Sequence, residues 1–334
     1  MGTGTVTAIT PRIIVDECVR RGINRKDLLD RVGISSDCLY QAAGRVPIEK
    51  MHVLWDHVLL LSPDQMVGVF AAESAPFGAY GILDYMLVAS SCPREALERS
   101  SRFFALFNTA FMLSLRMHCD LAYLELHNPG SPRDLPRPYI EYILVNYLMR
   151  LRLATQMNYS PLEVHVTYKN PGPAETYDRV FGAPFRFCQP MNRLVFPRSL
   201  MDICHPQADP ELCELLEGYA QRKLQHSSHK KPLVEIYDVI AHNLEAGPVT
   251  LTFVSRQLAS SSRSLQRELY ANGTTFRELL DSIRHERALA LLADLDLPIT
   301  EIALKLQFSD TSAFCRAFQR WRGHSPHQYR KHLN

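Results

Sequence analysis

The sequence predicts an α+β N-terminal domain followed by an all-α domain in which two helix-turn-helix units are joined by one long helix. Three observations carry this. Residues 111–127 alternate apolar and polar side chains in the way a strand pair does, amid segments with helical spacing. The stretch Gln225-His226-Ser227-Ser228-His229-Lys230-Lys231-Pro232 is polar throughout and separates the two halves. Beyond it, residues 236–334 hold short segments with helix start and stop signals and no strand pattern. The expected boundaries are 1–225 for the first domain, 226–235 for a linker and 236–334 for the second domain.

In the N-terminal domain, helices are expected at 11–21 and, after Asn24 as N-cap, at 25–32 with Gly33 as the stop. A third helix takes its cap from Ser90 or Ser91 and has Pro93 in its first turn. It carries Ala96, Leu97, Phe103, Phe104 and Phe107 at roughly helical spacing. The hairpin follows, with Leu113, Leu115 and Met117 on one side, Ser114, Arg116 and His118 on the other, and a pause at Cys119-Asp120. A long helix is expected at 139–157, a strand at 162–168 from strict alternation, and a short apolar strand at 194–196. These strands form an antiparallel sheet.

In the C-terminal domain, a helix at 236–246 is closed by Gly247-Pro248, and a short one at 252–258 precedes the turn Ala259-Ser260-Ser261. The next, 262–270, ends at Asn272-Gly273. The long helix, 276–292, carries an apolar stripe that includes Leu279, Leu280, Ile283 and Leu292. Helices at 300–306 and 310–322 complete the set, the last closed by Gly323 with Pro326 beyond. In each unit the first helix buries a small apolar face. In the second helix of each, Leu265 and Leu269, or Phe314, Ala317, Phe318 and Trp321, face inward. That leaves Arg263, Gln266 and Arg267, and Thr311, Ser312, Cys315 and Arg316, on the outside, where a major-groove helix needs its readers.

Composition and charge agree with this. The chain has 334 residues, 46% hydrophobic and 22% charged, which excludes disordered, collagenous and coiled-coil classes. No run approaches the roughly 18 apolar residues of a membrane span, and the start Met1-Gly2-Thr3-Gly4-Thr5-Val6 lacks the charged and apolar regions of an export signal, so a cytoplasmic location and no membrane partner are expected. Residues 248–334 hold 12 Lys and Arg against 8 Asp and Glu, whereas residues 1–247 hold 25 against 27. Ten of those 12 are Arg, the side chain suited to phosphate and guanine. The eight cysteines, at 18, 38, 92, 119, 188, 204, 213 and 315, form no CxxC pair and are expected as reduced thiols. His118-Cys119 and Cys204-His205 each bring two ligand types together, but neighbours on a strand point to opposite faces. No metal, cofactor or catalytic residue is expected.

The segment Ile299-Thr300-Glu301-Ile302-Ala303, then Phe308-Ser309-Asp310-Thr311-Ser312-Ala313-Phe314-Cys315-Arg316-Ala317-Phe318-Gln319-Arg320-Trp321, then Gly323-His324-Ser325-Pro326 and Tyr329-Arg330, closely resembles the signature of the AraC/XylS family of bacterial transcription regulators. Ser264-Leu265-Gln266-Arg267-Glu268-Leu269, followed by Gly273-Thr274-Thr275-Phe276, matches it in the first unit. The resemblance implies a seven-helix domain whose two recognition helices enter adjacent major-groove segments. By it, base readers are Arg263, Gln266, Arg267, Thr311, Ser312, Cys315 and Arg316. Cys315 is an unusual reader, suited to a thymine methyl or to filling space. The chain departs from the family at Gln307, where Gly is usual. A side chain at positive φ there costs about 1 kcal/mol and puts the aim of the last recognition helix in question.

Upstream, Arg45-Val46-Pro47, Phe77-Gly78-Ala79-Tyr80-Gly81, Pro93-Arg94-Glu95-Ala96-Leu97, Val180-Phe181-Gly182-Ala183-Pro184-Phe185-Arg186-Phe187 and Asn192-Arg193-Leu194-Val195-Phe196-Pro197 resemble the so-called arabinose-binding effector domain of the family's OruR/ArgR-type branch. This implies a sensor domain that binds a small-molecule effector and supports a homodimer. The dimer then acts on promoter half-sites of double-stranded DNA together with RNA polymerase, as an activator rather than a repressor. Aromatic residues between 77 and 111 suit an apolar effector or the core. Candidate effector contacts are Phe77, Tyr80, Tyr85, Phe103, Phe107, Arg116 and His118, with His165 also on an alternating strand position. Two other functions stay open: a constitutive DNA-binding protein whose N-terminal domain only dimerises, and an enzyme fused to a helical domain. The second lacks any GxSxG or HExxH motif, and its His residues are dispersed.

Overall fold

The structure, a computed structural model, describes residues 4–41, 44–62, 64–128, 135–172, 175–226, 233–245, 247–271 and 274–331. The chain divides into two compact units, one within residues 1–230 and the other from 231 onward.

The first unit opens with β1 (Thr5–Thr7), α1 (Ile9–Arg20), α2 (Arg25–Val32), α3 (Ser36–Tyr40) and β2 (Arg45–Pro47), the two strands pairing antiparallel. Helix α1 starts two residues before its expected position, because Pro11 falls in its first turn, where a missing N–H costs nothing. Helix α2 is bounded as expected: the Asn24 side chain accepts from the Asp27 N–H and Gly33 stops it at φ 68°. Three further helices follow, α4 (Ile48–Leu61), α5 (Val67–Glu73) and α6 (Ile82–Ala89). Then comes α7 (Pro93–Phe103), capped at Cys92 rather than Ser90 or Ser91.

The hairpin β3 (Met112–His118) and β4 (Leu121–His127) pairs Ser114 with Glu125 and turns at Cys119, which takes φ 50°. Helix α8 (Arg137–Thr155) begins and ends two residues earlier than expected and stops at Gln156 with φ 54°. The strand expected at 162–168 is ordered as β5 only over Glu163–His165. After α9 (Glu175–Phe181) come β6 (Phe185–Arg186) and β7 (Asn192–Pro197), then α10 (Pro210–His226). The sheet order is β3-β4-β7-β5-β6. It is mixed rather than wholly antiparallel, since β5 and β6 run parallel. Beyond His165 the chain keeps only scattered bonds to this edge, such as the Val166 N–H to the Arg186 carbonyl at 3.0 Å.

Helix α8 is buried nearly all round and forms the spine of this unit. Gly68 of α5 lets it approach: a Cβ there would lie 2.1 Å from the Pro138 carbonyl oxygen. Trp55, Tyr139 and Tyr142 pack together against α8's inner face, with ring centroids 6.0 to 6.4 Å apart.

The second unit contains, among the described residues, α11 (Leu233–Asn243), α12 (Leu251–Gln257), α13 (Ser262–Ala271), α14 (Phe276–Leu292), α15 (Ile299–Lys305), α16 (Thr311–Arg322) and α17 (Pro326–Lys331). Helix α11 is shifted three residues toward the N-terminus of its expected range. Its neighbours start where their caps dictate. Thr250 accepts from Phe253 N–H at 3.1 Å, Asp310 from Ala313 N–H at 2.7 Å, and Thr275 and Glu278 form a capping box.

Candidate DNA-reading face and candidate effector cavity

Helices α12–α13 and α15–α16 are the two helix-turn-helix units, and α14 joins them. Their turns share one geometry. Ala259 (φ 47°) and Gln307 (φ 57°) are left-handed, and the next N–H returns to the carbonyl five residues back, Ser260 to Ser255 at 2.8 Å and Phe308 to Ala303 at 3.0 Å. The departure at Gln307 leaves the second turn in the same shape as the first: Gln307 adopts the glycine-like conformation. Its Oε1 accepts from the Val249 N–H at 3.0 Å, and its Nε2 donates to the carbonyls of Leu244 and Gly247. The Gln307 carbonyl accepts from Arg284 Nη2 at 2.8 Å, and that guanidinium lies 4.7 Å over the Phe308 ring.

This frame sets the outer face of α13 and α16. Leu265, Leu269, Phe314, Ala317 and Phe318 are buried, while Arg263, Gln266, Arg267, Ser312 and Arg316 are exposed. None of the four longer side chains, Arg263, Gln266, Arg267 and Arg316, is hydrogen-bonded or ion-paired to another described residue. Arg320, further along α16, is instead tied to Asp281 at 2.9 Å. Thr311 and Cys315 are half-buried at the edge of the face. Burial pushes the Cys315 thiol up, so it stays protonated and uncharged.

In the first unit, a cavity of about 70 Å³ opens among α1, α6, α7 and α8. Tyr80 and Phe107, named from sequence, line it. The other five candidates lie elsewhere. Phe77 and Tyr85 are about half exposed and stack edge to face on each other, 5.3 Å between centroids. Phe103 is buried in a separate cluster with Leu83, Met86, Ala220 and Leu224. Arg116 lies 3.7 Å from the buried Glu125 on the polar face of the sheet, and His118 is exposed at the hairpin end. His165 joins that polar face, bonded to Glu163 at 2.8 Å and to Arg193 at 3.0 Å.

Sequence reasoning missed the polar wall of the cavity, which comes mainly from α8. Arg150 Nε meets Asp84 Oδ1 at 2.5 Å, its Nη1 meets Asn146 Oδ1 at 2.6 Å, and its guanidinium lies 4.7 Å over the Tyr80 ring. Tyr80 and Tyr142 share a hydrogen bond between their hydroxyls, and burial pushes both phenols up. Asn146 and Arg150, one turn apart in the stretch 142–151 that otherwise holds only aliphatic, Met and Tyr side chains, are the signal that would have found this wall.

Two tandem reading helices on a capped frame, beside a separate unit with a polar-walled cavity, define a DNA-binding transcription regulator with a ligand-binding N-terminal domain. Residues 22–203 match the arabinose-binding N-terminal domain of AraC transcription regulators, and residues 254–332 match a helix-turn-helix domain. The chain belongs to the AraC family. It is similar to the ornithine utilization regulator of Pseudomonas aeruginosa, with 26% identity over 323 residues, covering 95% of this chain and 94% of that protein. It is also similar to the transcriptional activator NphR of a Rhodococcus species, with 31% identity over 117 residues, 35% of each chain. Among solved structures, the transcriptional regulator CdpR from Pseudomonas aeruginosa aligns over 92% of this chain and 96% of that one, with 23% identity and a TM-score of 0.40. The protein is a transcription regulator of this family.

Proposed function

We propose that the protein is an effector-controlled activator that acts as a homodimer in the cytoplasm, reading paired promoter half-sites and meeting RNA polymerase there. The observation that carries this is the outer face of α13 and α16, where Arg263, Gln266, Arg267 and Arg316 are exposed and uncommitted. Arg316 and Arg267 are suited to guanine edges, Gln266 to adenine, and Thr311, Ser312 and Cys315 to shorter contacts including a thymine methyl. The activator sense draws support from the relative named as an activator. The relative named for ornithine utilization makes L-ornithine a reference compound for the effector.

The test is selection of bound fragments from genomic DNA by the full chain at moderate salt, repeated with Arg316→Ala. Recovered fragments sharing two spaced half-sites are expected. The variant should lose roughly 1 to 3 kcal/mol of discrimination at one base position. Equal weakening on every fragment would restrict Arg316 to phosphate contact, and recovery of random fragments would overturn the reading.

A further inference from the structure

The cavity between α6 and α8 combines an apolar body with a particular pattern of spent and unspent polar groups. Its charged groups are spent on each other. Asp84 takes Arg150 at 2.5 Å and also accepts from the Tyr80 N–H at 3.1 Å, while Arg150 takes Asn146 with its remaining nitrogen. Asn146 and Asn108 are each engaged at both side-chain polar atoms, with one N–H left over on each amide. The Asn146 Nδ2 donates to the Tyr142 carbonyl at 2.8 Å, and the Asn108 Oδ1 accepts from the Ala110 N–H at 2.9 Å.

Beside those two amide N–H groups, hydroxyls remain unspent, and all of these are neutral. Tyr139 Oη accepts from Asn108 Nδ2 at 3.2 Å and keeps its own proton free, and the Tyr147 hydroxyl makes no hydrogen bond to a described residue. Burial pushes both phenols up, so both remain neutral donors. An ion entering this space would leave its charge unpaired or break the Asp84–Arg150 pair, and either event in a low-dielectric site is costly. A neutral acceptor meets free O–H donors at no such cost.

We propose that this cavity is the effector site and that it takes a compact, uncharged, mostly apolar molecule bearing one hydrogen-bond acceptor such as a carbonyl, received by the Tyr139 and Tyr147 hydroxyls. This rests on the effector-controlled reading above and names the chemistry of that effector. The size is limited as well, since the cavity of about 70 Å³ is about half the roughly 150 Å³ that admits benzene, so the ligand is smaller than a six-membered ring.

The test uses four probes on the full chain: cyclobutanone, cyclobutylamine, cyclobutanecarboxylate and L-ornithine, each followed by titration calorimetry. Cyclobutanone alone is expected to bind. Tyr147→Phe, which leaves no protein group unpaired, should weaken it about fivefold. Tyr139→Phe should do the same, and Ile143→Trp, which fills the cavity, should abolish binding, with the melting curve of each variant recorded as a check on folding.

Tighter binding of any charged probe than of cyclobutanone overturns the proposal, as does binding of none at millimolar concentration or an unchanged affinity in Tyr147→Phe. A charged probe whose binding is lost in Ile143→Trp keeps the cavity as the effector site and sinks only the uncharged chemistry. Cyclobutanone binding without any change in affinity for a selected DNA fragment supports the cavity's chemistry and sinks effector control.

Discussion

Arg150 and Asp84 form a buried ion pair, Nε to Oδ1 at 2.5 Å, with Asp84 1% exposed and the pair roofed by the Tyr80 ring. Asp84→Asn is expected to destabilise the first unit by roughly 3 to 5 kcal/mol, because it strands the guanidinium rather than merely removing one bond. Thermal melting of the full chain checks this. The double change Asp84→Leu with Arg150→Met should recover most of the loss, and a double variant no better than the single one would place the cost elsewhere.

Gln307 sets a strained backbone against side-chain bonds to Val249, Leu244 and Gly247. Gln307→Gly relieves the strain, worth about 1 kcal/mol, but forfeits three bonds worth about 0.5 to 1.5 kcal/mol each. Gln307→Ala forfeits the bonds and keeps the strain. The expected order of stability in urea unfolding is Gln, then Gly, then Ala. A glycine variant more stable than the parent would show that the bonds contribute less than the strain they offset.

Glu141 gives a pH dependence of known sign. Burial pushes its carboxyl up from the ordinary 4.5 to about 7, against the lowering pull of Arg137 and of the Tyr177 and Tyr168 hydroxyls. Between those two values the folded chain holds a proton that the unfolded chain has released. Stability from this group is therefore full below the unfolded value and is lost as pH rises to the folded one, by up to roughly 3 kcal/mol. Urea midpoints at about pH 5 and about pH 8 should differ in that sense in the parent, and Glu141→Gln should narrow the difference.

Gly68 faces Pro138 too closely for any side chain, with a built Cβ 2.1 Å from the carbonyl oxygen. Gly68→Ala must push α5 and α8 apart. An overpacking cost of about 1 to 3 kcal/mol is expected, visible as a lower melting temperature, together with weaker binding in the cavity that α8 walls. An unchanged melting temperature would mean that the two helices slide freely.

The C-terminal unit was legible in the sequence because its instructions are local. Thr250, Thr275 and Asp310 cap within three residues of themselves, Gly323 stops α16, and the inward leucines and phenylalanines repeat along single helices. The cavity was not legible in the same way. Tyr80 and Tyr142 lie 62 positions apart and meet only in the fold. Helix α8 is buried on nearly every side, so no polar face announced its inward residues. The aromatic run between 77 and 111 suggested one pocket. The fold distributes it instead: Phe77 and Tyr85 go to the surface, Phe103 to a side cluster, and Tyr80 and Phe107 to the cavity.

The Gln307 side chain reaches from the turn of the second reading unit to residues 244–249, the segment that leads into the first. The two units are thereby stapled into a fixed ruler. On the proposed reading, the distance between the bases that α13 and α16 address is set by the protein, and the DNA must conform to it. One base pair inserted between the two contact groups turns the second by roughly 35° about the duplex axis. A chain without the staple would accept that misfit more readily, so position 307 governs tolerance of spacing without touching DNA.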